Sequence, residues 1–235
     1  MSKSFGIVER KVFEAEFFLN KLNESLYLSF EAECYFSAFL SASRSVTFAM
    51  QTCMSGVPEF KEWYKDAQNT LKTDDLARFF IDARNSVVHG DENPLNKAMP
   101  GHLKDALKFQ QAHRYKHFLI VQNLHDCDKA VLCDAHAKCL EYFLSLLSIV
   151  FDCYSNFKTD IDPKWYFTKD NFMRRGKTFV DAVVEMGYPE QWAACAPKDE
   201  ISKWSVLQNL QSPNQLNPIF DKYLGKTIKE PDQEI

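Results

Sequence analysis

The longest apolar pattern in the chain runs from Leu26 to Met54, and it limits most strongly what the protein can fold into. Nearly every residue in it is apolar or small, and the apolar side chains recur at helical spacing. The residues predicted to be buried are Phe30, Cys34, Phe36, Phe39, Leu40 and Val46. A narrow stripe of small residues, Ser37, Ser41 and Ser45, follows i, i+4 spacing and would let another helix approach closely. The segment therefore predicts a long helix packed against other helices.

Glycine is scarce, with seven residues in a chain of 235, and a β-sandwich or barrel needs more turns than that. Twenty Phe, nine Tyr and four Trp supply enough apolar area for a core without a metal or a disulfide. The hydrophobic share of 46% and the charged share of 26% are typical of a globular protein. The composition therefore predicts an all-α protein.

Other helices are predicted on both sides of this segment. The first lies between residues 7 and 25, where Phe13, Phe17, Leu19 and Leu22 recur at helical spacing. A short helix runs from Pro58 to about Thr70, because proline suits the first helical turn. The next begins at Thr73, followed by two acidic residues, and ends at Gly90 before Pro94.

The second half of the chain divides near residue 160. Residues 102–124 are ambiguous between helix and a short strand over Tyr115–Leu124, and a long helix is predicted over about 129–157. Shorter helices are predicted over about 168–187, 198–211 and 214–224. The expected organisation is a helical bundle over residues 1–160, with residues 161–235 as a helical extension packing on it.

The seven cysteines form no CxxC pair and lie mostly inside apolar helical pattern, as reduced buried thiols do. Their usage favours the cytoplasm. The N-terminus shows no signal-peptide pattern. The most apolar stretch, Tyr142–Phe151, has about half the length that a membrane span needs. We therefore expect a cytoplasmic protein with no membrane anchor.

The net charge of −4 excludes a general basic field for gripping nucleic acid. Any RNA chemistry must then depend on local charges in a cleft, or on a groove formed by two subunits.

One constellation carries chemistry: Arg84, Asn85 and His89 at the end of the predicted helix 73–90. Five positions separate Arg84 from His89, roughly 140° around an ideal helix. The length of the arginine side chain and the freedom of the last helical turn before Gly90 let the two groups converge. An arginine fork matches a phosphate, and a histidine exchanges protons near neutral pH. Asn85 lies four residues before His89 and can orient the imidazole.

The end of this helix resembles the HEPN superfamily, whose mark is an Arg, a polar residue that is often Asn, a short spacer and a His. The spacing here is Arg84, Asn85, three residues, His89 and Gly90, after two long helices and one short one. In one branch of the superfamily, antitoxins AMPylate a Tyr two residues after the His. This chain has Asp91 there, so that regulation is not implied.

The resemblance implies an up-and-down helical bundle, usually a homodimer in which two copies of the motif face each other. It implies a hydrolase-class, metal-independent endoribonuclease, with toxin–antitoxin and antiphage defence proteins among its members. Carried over, Arg84 binds the phosphate, His89 transfers protons or holds the transition state, and Asn85 positions them. RNA is then the substrate, a cognate antitoxin is a candidate partner, and no cofactor or metal is expected.

Alternative readings remain open. Arg84 and His89 are also explained as a surface arginine and a helix-capping histidine, because many HEPN proteins keep the fold for binding and have lost catalysis. The chain would then be a non-catalytic binding or dimerisation module, with the apolar second helix as its partner surface.

Several other polar groups have plainer explanations. Arg78 and Asp82 are expected to form an exposed ion pair, and Glu33 and Arg44 to form a solvated edge. His113 and His117 have the i, i+4 spacing of a helical metal pair, but no carboxylate lies at a fixed offset from them. The spacings within the group His125, Cys127, Cys133, His136 and Cys139 do not converge on one point. Core packing accounts for the tryptophans (Trp63, Trp165, Trp192 and Trp204), and surface solubility accounts for Arg174 and Arg175. The sequence contains no glycine-rich phosphate loop.

Overall fold

The computed structural model describes residues 4–26, 29–90, 92–97, 108, 116–121 and 131–231. Helices make up nearly all the regular structure in these ranges, and the predicted all-α fold is confirmed. The chain forms two compact units. We call Ile7–Leu147 the larger unit, and Met1–Gly6 together with Ser148–Ile235 the smaller unit. The division falls inside a helix, a little before the expected boundary at residue 160.

The larger unit contains four helices before a short hairpin: α1, Gly6–Glu24; α2, Phe30–Met54; α3, Phe60–Thr73; and α4, Asp75–His89. Strands β1, Phe118–Val121, and β2, Val131–Asp134, pair antiparallel, with Phe118 opposite Asp134. Helix α5, Ala135–Ile161, starts in the larger unit and continues into the smaller one.

The smaller unit is built from short helices after α5: α6, Pro163–Tyr166; α7, Lys169–Arg174; α8, Phe179–Glu185; a 3₁₀ helix, Glu190–Cys195; α9, Glu200–Asn209; and α10, Asn217–Leu224. One cluster of its core residues comprises Tyr166, Phe167, Phe172, Ala182, Val183, Trp204 and Leu207. Gly176 and Gly187 take positive φ angles of 68° and 88°, which only glycine adopts easily, and they flank α8. The single helix predicted over 168–187 is therefore two helices.

Phe80 of α4 lies at the centre of the larger unit and is 1% exposed. Its ring stacks on Tyr142 of α5, with centroids 4.6 Å apart and planes at 3°. Phe36 and Phe39 of α2 approach it at 6.5 and 6.2 Å. Aromatic pairs in such geometry add about 0.5–1.5 kcal/mol beyond their burial. These contacts fix α4 against α2 and α5, and so fix the helix that carries the candidate site.

The start of α5 differs from the prediction. The chain forms β2 up to Asp134, and the helix begins at Ala135 rather than near residue 129. Of the two alternatives left open for residues 102–124, a strand is present over the described residues Phe118–Val121, as β1. Pairing between β1 and β2 draws residues 131–134 into extended structure, a non-local effect that helical periodicity does not report.

Several side chains predicted to be buried lie on the surface instead. Phe30 is 79% exposed, and Cys34 is exposed, although Phe36, Phe39, Leu40 and Val46 are buried as predicted. Of the residues that recur at helical spacing in α1, Phe13 and Phe17 are exposed, and Leu19 and Leu22 are buried. Helix α2 therefore has an exposed N-terminal turn and is not covered on all sides.

In the described part of the chain, no helix is both long and apolar enough to cross a membrane.

Candidate functional site

Helix α4 is fixed at both ends by local contacts. Its N-cap is Asp74, whose Oδ1 accepts hydrogen bonds from the backbone N–H groups of Leu76 and Ala77 at 2.8 and 3.2 Å. The predicted cap, Thr73, is instead the last residue of α3, and its hydroxyl donates to the carbonyls of Asn69 and Thr70. An N-cap such as Asp74 contributes about 1 kcal/mol to helix stability. The helix therefore starts one residue later than predicted.

The other end of α4 depends on Gly90. Its backbone N–H donates to the carbonyl of Ser86 at 2.9 Å, and its backbone is extended, with φ −118° and ψ 177°. A Cβ atom built there would lie 2.9 Å from the same carbonyl oxygen, closer than real Cβ contacts come. Glycine thus suits this position because of the close approach of the carbonyl oxygen, and not because of a left-handed conformation.

Arg84, Asn85 and His89 converge at this end of the helix. Nη1 of Arg84 lies 3.4 Å from Nε2 of His89 and donates to Oδ1 of Asn85 at 3.2 Å. The guanidinium of Arg84 thus contacts both Asn85 and His89, which lie about one helical turn apart. The structure places the three side chains together, as their spacing predicts; their catalytic role stays a prediction.

The contact between Arg84 and His89 is a hydrogen bond only if Nε2 of His89 accepts. An arginine guanidinium has donors and no acceptor. In such a hydrogen bond Nε2 of His89 carries the lone pair, which places the ring proton of the neutral form on Nδ1. A protonated ring would bring two donors together and break the contact. In this arrangement Nε2 of His89 accepts a hydrogen bond from Arg84.

Exposure decides what can reach these groups. Asn85 and His89 are exposed, and Arg84 is half-buried. Nε of Arg84 is buried and has no hydrogen-bond partner among the described residues. A phosphate that bound side-on to Nε and Nη2 would satisfy this N–H. The side chain would first have to turn outward, because Nε has almost no accessible surface.

The segment that follows the site, residues 92–97, is anchored on α2. The side-chain amide of Asn93 donates to the carbonyl of Glu33 at 3.1 Å and accepts from the backbone of Leu95 at 3.0 Å. Leu95 is fully buried. The backbone carbonyl of Glu33 thus joins α2 to the segment 92–97.

Two charged residues of α2 and α4 make contacts that the sequence does not predict. Arg78 pairs with Asp75, one turn earlier, and not with Asp82. Arg44 lies over the ring of Phe48, 4.3 Å from its centroid, and its Nη1 is 3.5 Å from the hydroxyl of Thr47. These contacts tie Arg44 to its own helix.

His117 is buried, 3% exposed, in a network that sequence reasoning missed. Its Nε2 lies 3.1 Å from Oγ of Ser25, and its Nδ1 lies 3.1 Å from Nδ2 of Asn96. Burial lowers the pKa of this histidine below its usual 6.5, and Lys116 adds to the shift. Both ring nitrogens are occupied, so the metal pair considered with His113, which lies outside the described residues, has no support from this side chain.

Of the other candidate metal ligands that are described, Cys133 and Cys139 are core residues and His136 is half-buried. Burial raises the pKa of the Cys133 thiol, and raises that of the fully buried Cys139 well above its usual value. Such thiols are unreactive. Among the described residues no group of three His, Cys, Asp or Glu side chains is placed to hold a metal ion. His125 and Cys127 lie outside the described residues.

The tryptophans and arginines of the smaller unit also differ from expectation. Trp204 is a core residue, 5% exposed, but Trp192 is 56% exposed and stacks on Tyr188 at 4.8 Å. Arg175 pairs with Asp160 at 2.8 Å and lies over the ring of Tyr166. Core packing therefore does not account for Trp192, and Arg175 has a structural role.

The fold and the site define an all-α protein with an Arg-Asn-x3-His group at an exposed helix end. A family model described as bacteriophage lambda protein ea47 matches residues 9–96. The matched range covers less than half of the chain and includes Arg84, Asn85 and His89. The chain is thus similar to that family over α1–α4. Neither a curated protein nor a solved structure matches the chain.

Proposed function

We propose that the protein is a metal-independent endoribonuclease of the HEPN type that acts as a homodimer. The observation that carries this proposal is the contact of Arg84 with His89 beside Asn85 at an exposed helix end. A cation that fits a phosphate and a neutral imidazole that accepts a proton are the groups that RNA cleavage without a metal requires. The resemblance of the motif to the HEPN superfamily points to the same chemistry.

The proposed reaction uses the 2′-hydroxyl of the RNA as the nucleophile. The 2′-oxygen forms a bond to phosphorus, and the bond from phosphorus to the 5′-oxygen breaks. His89 accepts the proton of the 2′-hydroxyl, and the leaving 5′-oxygen takes a proton from a second acid. The products are a 2′,3′-cyclic phosphate and a 5′-hydroxyl. Arg84 stabilises the charge that develops on the phosphoryl oxygens.

A second copy of the chain would supply what one copy lacks. In a single chain the pair lies on an exposed helix end, where water screens its charges. Two motifs facing each other would enclose the phosphate and provide His89 of the other copy as the acid. That second ring would have to be protonated, and so released from its own Arg84, to give its proton to the leaving oxygen. Leu26 and Phe30, just before and at the start of α2, are 75% and 79% exposed. The bond from Asn93 to Glu33 ties the N-terminal part of α2 to the segment after α4, so these apolar groups support an interface near this end.

The similarity to bacteriophage lambda protein ea47 supports a setting in which phage and bacterium meet. Within that setting the proposed nuclease acts as a toxin or an antiphage defence protein, and a cognate antitoxin would hold it inactive. The proposed location is the cytoplasm.

The test compares wild type, His89→Ala and Arg78→Ala on mixed single-stranded RNA in the presence of EDTA. Arg78 lies on the same helix and is exposed, so Arg78→Ala is the matched control. We expect cleavage by wild type and the control, with 2′,3′-cyclic phosphate ends, and a loss of about 100-fold or more for His89→Ala. Equal cleavage by wild type and His89→Ala, or cleavage that EDTA abolishes, contradicts the proposal.

The second candidate is a non-catalytic binding module. The exposure of Leu26 and Phe30 favours it, because exposed apolar side chains mark interaction sites. This candidate predicts no cleavage and no toxicity on expression. It also predicts that Phe30→Ser weakens self-association or partner binding while His89→Ala leaves both unchanged. The nuclease assay on the purified variants separates the two candidates, because a nuclease dimer that uses the same apolar groups predicts the same self-association by light scattering.

A further inference from the structure

The network around His117 joins parts of the larger unit that are far apart in sequence. Ser25 follows α1, Asn96 follows α4, and His117 precedes β1. The backbone N–H of Ala135, at the start of α5, also donates to the carbonyl of His117 at 3.1 Å. Nζ of Lys116 donates to the carbonyl of Asn23 at 2.8 Å. We call Ser25, Asn96, His117 and Phe118 the clasp.

The hydrogen bonds of the clasp fix the tautomer of His117. The hydroxyl of Ser25 donates its one proton to the carbonyl of Leu22 at 2.7 Å, so it can only accept from Nε2 of His117. Nδ2 of Asn96 is an amide donor, so Nδ1 of His117 must accept. The ring is therefore neutral, with its proton on Nε2.

Asn96 cannot adapt to a protonated ring without loss. Its Oδ1 accepts from the backbone N–H of Phe118 at 3.0 Å, while its own backbone N–H donates to the carbonyl of Phe118 at 2.9 Å. A proton on Nδ1 would face the amide NH2 group. If the amide flipped to offer its oxygen to the ring, the N–H of Phe118 would face NH2 instead. Either way a buried donor is left without an acceptor, which is costly.

The charges around the ring do not offset this cost. Among the described residues, the charged groups that act on His117 are Lys116 beside it, which disfavours the protonated ring, and Asp134 of β2, which favours it. The side chains that α1 and the segment 92–97 bring to the ring, Ser25 and Asn96, are uncharged. Burial is the largest influence and keeps the ring neutral.

We propose that His117 operates a pH-sensitive clasp: protonation of its Nδ1 breaks the bond from Asn96 and releases the segment 92–97 from β1. This segment follows the end of α4 directly and is anchored on α2 through Asn93. The inference concerns conformation alone and does not depend on whether the chain cleaves RNA.

Nitrogen-15 NMR of the imidazole rings, with hydrogen exchange of the amides of Asn96 and Phe118, tests the proposal. We expect His117 as the neutral Nε2–H tautomer at pH 7, with a titration midpoint below 6.5, the usual value. Protection of the two amides should fall with the same midpoint. His117→Gln keeps one donor and one acceptor, so its amides should stay protected over that range. His136→Gln, which removes another half-buried histidine, should leave the transition in place.

Asn96→Asp gives a change of opposite sign. The new carboxylate accepts from both Phe118 and a protonated Nδ1, so the midpoint of His117 should rise above 6.5 and acid should no longer release the segment. This variant also decides the matter if His117→Gln does not fold. The proposal is overturned if His117 is the Nδ1–H tautomer at pH 7, or if its protonation leaves both amides protected. It is equally overturned if His117→Gln loses protection as wild type does, or if Asn96→Asp lowers the midpoint.

Discussion

The end of α4 and the clasp present the same side chain in opposite settings within one unit. His89 is exposed and its Nε2 receives one long contact from Arg84, whereas both ring nitrogens of His117 are held inside the protein. His89 can therefore exchange protons with a ligand, and His117 can exchange one only by breaking structure. The comparison shows that the burial and the hydrogen-bond partners of a histidine determine whether its ring is available to a ligand or is part of the folded core.

The largest expected effect is on the rate of RNA cleavage, which depends on the end of α4 and not on the clasp. If the site acts as proposed, Arg84→Ala should slow RNA cleavage by about 10²–10³-fold, because it removes the charge that stabilises the transition state. Arg84→Lys should restore only part of the rate, since an ammonium does not offer the planar fork. Initial rates on one RNA, with Arg78→Ala as the control, measure this. If Arg84→Ala cleaved RNA at the rate of wild type, the end of α4 would not be the catalytic region.

The next effect separates them by stability. His117→Ala should lower the free energy of unfolding by about 1–3 kcal/mol, because it removes a buried ring and leaves Nδ2 of the half-buried Asn96 without its acceptor. His89→Ala, at an exposed position, should change it by no more than about 0.5 kcal/mol. Urea unfolding followed by circular dichroism gives both values. Equal destabilisation by the two substitutions would show that exposure does not distinguish the histidines.

Gly90→Ala tests how tightly the exposed region is built. The new methyl group meets the carbonyl oxygen of Ser86, so the last turn of α4 must shift, at a cost of about 1 kcal/mol. Val88→Ala, at an exposed neighbour, is the control. Urea unfolding measures the cost, and the NMR signals of the His89 ring report the shift of the turn. Unchanged stability with an unmoved His89 ring would mean that the turn accepts a side chain.

The smallest effect is the pH dependence of stability. Because the folded pKa of His117 lies below 6.5, its neutral form contributes stability that is complete above pH 6.5 and is lost as the pH falls through the folded pKa. Unfolding free energies at several pH values should therefore fall more steeply on the acid side for wild type than for His117→Gln. The difference between the two curves cancels the other titrating groups. Parallel curves would mean that His117 has the same pKa folded and unfolded.

The sequence predicts the exposed region better than the clasp, and the reason is distance along the chain. Arg84, Asn85 and His89 share one helix, so helical geometry and side-chain length suffice to bring them together. The clasp joins residues 25, 96 and 117, and no local pattern connects positions so far apart.

The same reason explains the errors in the helices. The periodicity of α2 predicts its C-terminal end at Met54, but it does not show that Phe30 and Cys34 face outward. The exposure of these two residues depends on how far the neighbouring helices extend along α2. The start of α5 is misplaced because β2 pairs with β1, a contact between separate segments.

Helix α5 has a consequence for anyone who wishes to study either unit alone. Its residues Leu147 and Val150, both buried, lie on opposite sides of the division between the units. A fragment that stopped at Leu147 would cut this helix between them and leave its last four carbonyls without partners. Proteolytic cleavage between these residues would cut the helix in the same way. The two units are therefore expected to be stable only when they are expressed as one chain.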